Sequence, residues 1–187
     1  PDSQNGTESV YIWGAQVEQS SYPTSYIPTS GAIATRLADV VTGAGDATTF
    51  NDSEGVLYVE MAALANDGTN RFVSISDGTI SNRINIVFDT SNNINARQAP
   101  GGVTISTSGV NILNSNKIAY KYQNGSQELW VNGVKIGTAN ATNLPSGLDK
   151  LSFDSFNGGD LMYSKVKSLI TFNTALTDAE LECLTTI

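Results

Sequence analysis

Apolar and polar residues alternate with a period of two along most of this chain. In NRINIVFD, residues 82 to 89, Ile84, Ile86 and Phe88 fall on one side and Arg83 and Asn85 on the other, which predicts a strand with one face in a core. NINARQ (93–98), GVTIST (102–107), KIAYKYQ (117–123) and DKLSFDS (149–155) repeat the pattern. GVLYVEMAAL (55–64) is almost continuously apolar and predicts a strand buried on both faces. Between these runs lie turn signals: NDG at 66–68, SDG at 76–78, SNN at 91–93, APGG at 99–102 and QNG at 123–125. This spacing predicts an antiparallel sandwich.

The best-marked hairpin is SQELWVNGVKIGTA, residues 126–139, where Asn132-Gly133 supplies the two positive-φ residues of a type I′ turn. Trp130 within it has two readings, sugar stacking or packing, and an aromatic beside Val131 in a central strand favours packing. A single helix is expected after Thr177-Asp178-Ala179-Glu180, which has the form of a capping box, with Leu181 and Leu184 on one side. A short helix after a run of strands has no core of its own, so it should plug one end or edge of the sandwich.

The 187 residues, 40% hydrophobic and 15% charged, suit one domain with an appendage. A net charge of -8 with only ten Lys and Arg argues against nucleic acid as partner. No apolar run approaches the ~20 residues that cross a bilayer, so membrane insertion is not expected. Cys183, the only cysteine, sits between leucines like a small core hydrophobe, and the chain has no histidine to activate it.

ELWVNGVKIGT, followed about thirty residues later by VKSLITFNTALTDAELECL, resembles the closing strands and terminal helix of laminin G-like, concanavalin A-like lectin domains. The resemblance covers about residues 38 to 187. It implies an all-β jelly-roll sandwich of two curved antiparallel sheets with one short C-terminal helix. Ahead of it, WGAQVEQSSYPTSYIPTSGAIATR (13–36) resembles a junction in tailed-phage tail, fibre and decoration proteins, where the last strand of one module hands the chain to the next. On that resemblance residues 1–37 are an extended N-terminal arm, with Tyr11, Trp13, Ala15 and Val17 in a strand and Tyr22-Pro23 to Ile27-Pro28 as linker, cut from a longer protein. Such a strand must dock, in cis or in a homo-oligomer, because exposed apolar strands aggregate.

The resemblance also sets the functional expectations. Laminarinases and related glycanases share the sandwich but carry a Glu-x-Asp-x-x-Glu strand motif that is absent here, so no catalysis is expected. The expected role is an adhesion or structural module of a phage particle, at the virion surface, binding a polysaccharide or glycan and other proteins of the particle. The alternative is a carbohydrate-binding module of a secreted bacterial polysaccharide-degrading enzyme. Arg83, Asn85, Asn95, Arg97, Thr104 and Ser106 form the candidate carbohydrate row on the concave sheet, against the equally simple reading that any solvated antiparallel face carries such residues. Asn offers donor and acceptor together and Arg a fork of donors, a set that also suits an acidic glycan. Asp77, Asp89, Asn92 and Asn93, and separately Asp154, Asn157 and Asp160, are candidate oxygen ligands for calcium, against the simpler reading that they cap their own turns.

Overall fold

A computed structural model describes residues 11–19, 25–35 and 44–187. The chain divides into two compact units, Pro1–Val40 and Val41–Ile187. The expected boundary at 37/38 and the linker residues Tyr22 and Pro23 lie outside the described residues.

The larger unit is all-β apart from one helix. Its elements are β1 (Glu54–Ala63), β2 (Arg71–Ser76), β3 (Arg83–Phe88), β4 (Ile94–Ala99), β5 (Val103–Thr107), β6 (Asn116–Gln123), β7 (Ser126–Val131), β8 (Val134–Ala139), β9 (Lys150–Ser152), β10 (Ser164–Phe172) and α1 (Asp178–Thr185). They form two five-stranded sheets, β10-β1-β6-β7-β8 and β5-β4-β3-β2-β9, whose pairings are all antiparallel, so the jelly-roll sandwich is as expected. Leu57, Val59, Met61, Ile118, Tyr120 and Leu129 of the first sheet meet Val73, Ile75, Ile84, Ile86, Phe88, Ile94 and Ile105 of the second in one core. At one margin Gly137 of β8 lies so close to Ile105 of β5 that a Cβ there would sit 3.0 Å from its side chain.

The continuous apolar run of β1 has a simple cause. Its second face, Val56 and Tyr58, joins Ala119, Trp130 and Leu181 in a smaller cluster beneath α1. The helix therefore lies on the outer face of the first sheet, a correction to the expected end or edge position. Alternate residues of three adjacent strands present apolar side chains there, and only a covering element removes them from water. The capping box is present, with Thr177 Oγ1 accepting from Glu180 N–H at 3.4 Å and Glu180 Oε2 accepting from Thr177 N–H at 2.8 Å. Leu181 and Thr185 face inward while Cys183 is exposed, so it is not the core hydrophobe its neighbours suggested. Trp130 is buried, as the packing reading requires, and its indole N–H donates to Glu128 at 2.9 Å. The hairpin turn has φ of 51° at Asn132 and 80° at Gly133, matching the I′ expectation.

In the smaller unit no strand spans residues 11–19, contrary to the expected strand through Tyr11, Trp13, Ala15 and Val17. Gly14 takes a φ of +70°, and the Gln16 side chain accepts the Ile27 N–H at 2.7 Å. Trp13 packs edge-on to Tyr26 with ring centroids 6.2 Å apart. The segment thus folds back on its own linker, and the left-handed glycine interrupts the extended geometry a ladder needs.

Candidate functional site

The six residues of the candidate carbohydrate row lie on the outer face of the second sheet. Register places Asn85 opposite Arg97 and Arg97 opposite Thr104, with Asn95 opposite Ser106 one step along and Arg83 one step the other way. Facing pairs in such a ladder have Cβ atoms roughly 5 Å apart, so the row is a contiguous patch. Ser74 extends it onto β2, opposite Asn85. All six positions share the face because each inward neighbour (Ile84, Ile86, Ile94, Ala96, Val103, Ile105) is committed to the core.

The face is more deeply built than a solvated sheet surface. Thr104 and Ser106 are exposed and Arg83 and Arg97 half-buried, but Asn85 is 1% and Asn95 2% exposed. Part of the cover is the loop after β9: Ser74 Oγ donates to the Asp154 carbonyl at 2.5 Å, and Asn85 Nδ2 donates to Ser74 Oγ at 2.6 Å. Asn95 Nδ2 donates to Asp89 Oδ2 at 2.7 Å. The amide nitrogens are thus used while Oδ1 of both Asn85 and Asn95 has no partner, nor has Nε of Arg83. Buried polar atoms without partners cost about 1–3 kcal/mol each, so this layer is held in place by its neighbours at some expense of stability.

The two arginines are held by rings instead of carboxylates. Arg83 Cζ lies 4.8 Å from the Phe156 ring centroid and Arg97 Cζ 5.8 Å from that of Phe72. Among the described residues neither is in an ion pair. Burial, and then the like charge of Arg97, lower the Arg83 pKa from its ordinary value. Two guanidinium charges thus stand on this face of a chain of net charge -8, with the carboxylates of Asp89 and Asp154 spent on Asn95 and on turn N–H groups. Phe72 and Phe156 escaped the reading of the sequence. The available signals were Phe72 two positions before Ser74 on the same strand face, and a large apolar residue within the polar turn DSFNGGD.

Of the candidate calcium ligands, Asp89, Asn92 and Asn93 share one turn and Asp77 is not brought to them. Asp77 follows β2 beside the Ser76–Arg83 pair and Asp89 follows β3 beside the Arg71–Phe88 pair, at opposite ends of one hairpin, roughly 17 Å apart along the strands. Asp77 accepts from the N–H and hydroxyl of Thr79, at 2.7 and 2.6 Å, and from Asn82 Nδ2 at 2.9 Å. Asp89 accepts from the N–H groups of Ser91 and Asn93, both at 2.9 Å, within the turn that also holds Asn92. Asp154 likewise accepts from the N–H of Phe156 and of Gly158, and Asn157 from that of Gly159, while Asp160 has a φ of 45°. These side chains serve their own turns. Among the described residues no group of three or more His, Cys, Asp or Glu is set to hold a metal.

A concavity of about 410 Å³ lies away from this face, by the β1 entry between Thr48, Asn51, Asp52, Leu148 and Asn173. Its one carboxylate is engaged, Asp52 accepting from the N–H of Gly147 at 2.7 Å and of Leu148 at 3.0 Å.

No family model and no curated protein matches the chain. Solved structures do. The CBM40 module of the Ruminococcus gnavus IT-sialidase superposes with a TM-score of 0.62 at 17% identity, over 74% of this chain and 86% of that one. The same module bound to α2,3-sialyllactose gives 0.61 at 18% identity, again over 74% and 86%. The leech intramolecular trans-sialidase gives 0.60 at 17% identity over 73% of this chain, which spans 24% of that enzyme's length. The chain thus has the jelly-roll fold of sialidase carbohydrate-binding modules.

Proposed function

We propose that the chain is a non-catalytic carbohydrate-binding module whose ligand surface is the outer face of the second sheet, and that its ligand is an acidic glycan. The observation that carries this reading is the pair of arginines, Arg83 and Arg97, laid on aromatic rings without a carboxylate partner. Two guanidinium forks offer bidentate pairing to a carboxylate or sulfate, and hydroxyls beside them can exchange hydrogen bonds with those of a sugar. Thr104 and Ser106 extend the polar rim over the exposed edge. The likeness to modules solved in isolation and with sialyllactose supports the same reading and favours the appendage of a secreted bacterial enzyme over a phage particle. The phage reading rests on residues 13–36 alone.

The test is binding of the purified protein to an array pairing sialylated, uronate-bearing and sulfated oligosaccharides with their neutral counterparts, in calcium and again in chelator. Binding confined to acidic members and equal in both buffers is the expected result. Preference for the neutral members, or no binding, would overturn the reading, and loss in chelator would restore a metal to the site.

A further inference from the structure

Phe156 is an unusual residue to find where it is. It belongs to neither apolar cluster and is half-buried on a turn of Asp, Ser, Asn and Gly. Its φ is +101°, a region that non-glycine residues rarely enter and hold only when the surroundings impose it. The surroundings do so here. Asp154 Oδ1 accepts its N–H at 2.6 Å, Asp154 Oδ2 accepts that of Gly158 at 3.1 Å, and Ser155 N–H donates to the Gly159 carbonyl at 2.9 Å. The turn is moored to the sheet through Ser74 and the Asp154 carbonyl. The product of this construction is one contact, the ring against the Arg83 guanidinium.

An aromatic ring and a carboxylate restrain an arginine differently. A carboxylate would occupy the in-plane N–H donors and neutralise the charge. A ring attracts the cation through its π face and leaves the edge donors free. The Arg83 guanidinium, in no ion pair and no hydrogen bond among the described residues, fits the second case. Holding a long side chain in its ligand-ready orientation before binding removes an ordering cost of about 0.5–1.5 kcal/mol from the association.

We infer that Phe156 is a positioning residue: it presets the Arg83 guanidinium for the anionic group of the glycan, so that the turn at 154–159 is a built part of the binding site and sets its preference for acidic over neutral sugar. This rests on the acidic-glycan reading above. The ligand group it serves is a carboxylate or sulfate with two oxygens available to one fork. Phe72 stands in the same relation to Arg97, at 5.8 Å.

The test is a double-mutant cycle between Phe156 and Arg83, read as Kd for α2,3-sialyllactose and for a uronate trisaccharide, with lactose as the neutral comparison. Phe156→Leu, which keeps apolar bulk and removes the ring, is expected to weaken acidic binding about five- to tenfold, the fold-change of an ordering cost of about 1–1.4 kcal/mol. Phe156→Tyr and Phe156→Trp keep the ring and should stay within about twofold of the parent. In an Arg83→Ala background Phe156→Leu should add nothing, because the group it positions is gone. Losses that add in the double variant would overturn the positioning role and make Phe156 an independent contact. An unchanged Kd in Phe156→Leu, or a loss in Phe156→Trp as large as in Leu, would overturn it too. If the unmutated protein binds neither acidic probe, the acidic-glycan reading itself fails and this inference goes with it.

Discussion

Replacing Arg83 and Arg97 together by alanine is expected to weaken acidic-glycan binding about a hundredfold or more while the protein still folds. Hydrogen bonds to charged groups contribute about 1.5–3 kcal/mol each, and every 1.4 kcal/mol is tenfold in Kd. Neither guanidinium is committed to a carboxylate among the described residues, so removing it leaves no orphaned acid behind. What each variant loses in the free protein is a ring contact at 4.8 or 5.8 Å, worth about 0.5–1 kcal/mol at a partly exposed site. Titration calorimetry with the tightest acidic member of the array, alongside a thermal melt, separates the two effects. Binding retained within a few fold in a folded double variant would move the site away from this face. Residual binding should also lose most of its dependence on ionic strength, since the screened charges are gone.

The second large effect belongs to the opposite sheet and to stability. Glu128 lies beneath the edge of α1, where Lys121 Nζ donates to its Oε1 at 2.7 Å, while Trp130 Nε1 at 2.9 Å and Lys135 Nζ at 3.2 Å approach its Oε2. Lys135 reaches on to Asp178 in the first turn of the helix, at 2.7 Å. The Lys121 and Glu128 side chains are 9% and 8% exposed. Removing one member of a buried pair strands the other, at a cost of about 3–5 kcal/mol. Glu128→Gln, similar in shape but uncharged, should therefore lower Tm by roughly 10 °C, and Lys121→Met in the same chain should recover part of the loss. An unchanged Tm would mean that the Lys121–Glu128 pair between β6 and β7 adds nothing net to the stability of the fold.

The same carboxyl makes a pH prediction. Burial raises the Glu128 pKa, but hydrogen bonds from Lys121, Trp130 and Lys135 outweigh it and hold the pKa below the ordinary 4.5. A folded-state pKa below the unfolded one gives stability that is present above about pH 4.5 and is lost as pH falls through the folded value. Acid unfolding followed below pH 4.5 should be shallower in Glu128→Gln than in the parent. Equal slopes would assign the acid limb to other carboxylates.

Much of this architecture is legible in the order of residues, and the limits have identifiable causes. Ile84, Ile86 and Phe88 point inward because a period of two has one buried side, and the same arithmetic puts Arg83, Asn85, Arg97 and Thr104 together on the other. The Asn132-Gly133 turn and the Thr177–Glu180 capping box are local chemistry, complete within four residues. What period alone does not convey is which faces are covered, and by what. Asn85 and Asn95 read as solvated and are buried, and part of that cover comes through Asp154, eighty positions after Ser74. The helix read as an end plug and lies on a face, since Val56, Tyr58, Ala119 and Trp130 assemble a second apolar surface only after β1, β6 and β7 have paired. Asp77 and Asp89 belong to neighbouring turns along the chain that could have converged, and the hairpin sets them at opposite ends. Phe156 stood in a turn with no period to betray it.

The central claim is the location of the ligand on the outer face of the second sheet. The most direct measurement is a titration of isotope-labelled protein with α2,3-sialyllactose or the best acidic probe from the array, following the side-chain resonances of Arg83 Nε–H and the Asn85 and Asn95 amides. These three groups are expected to shift together and saturate at one Kd, with the Thr104 and Ser106 backbone moving less. Saturating shifts confined to the concavity between Asn51, Asp52 and Asn173, with Arg83, Asn85 and Asn95 unmoved, would contradict the account.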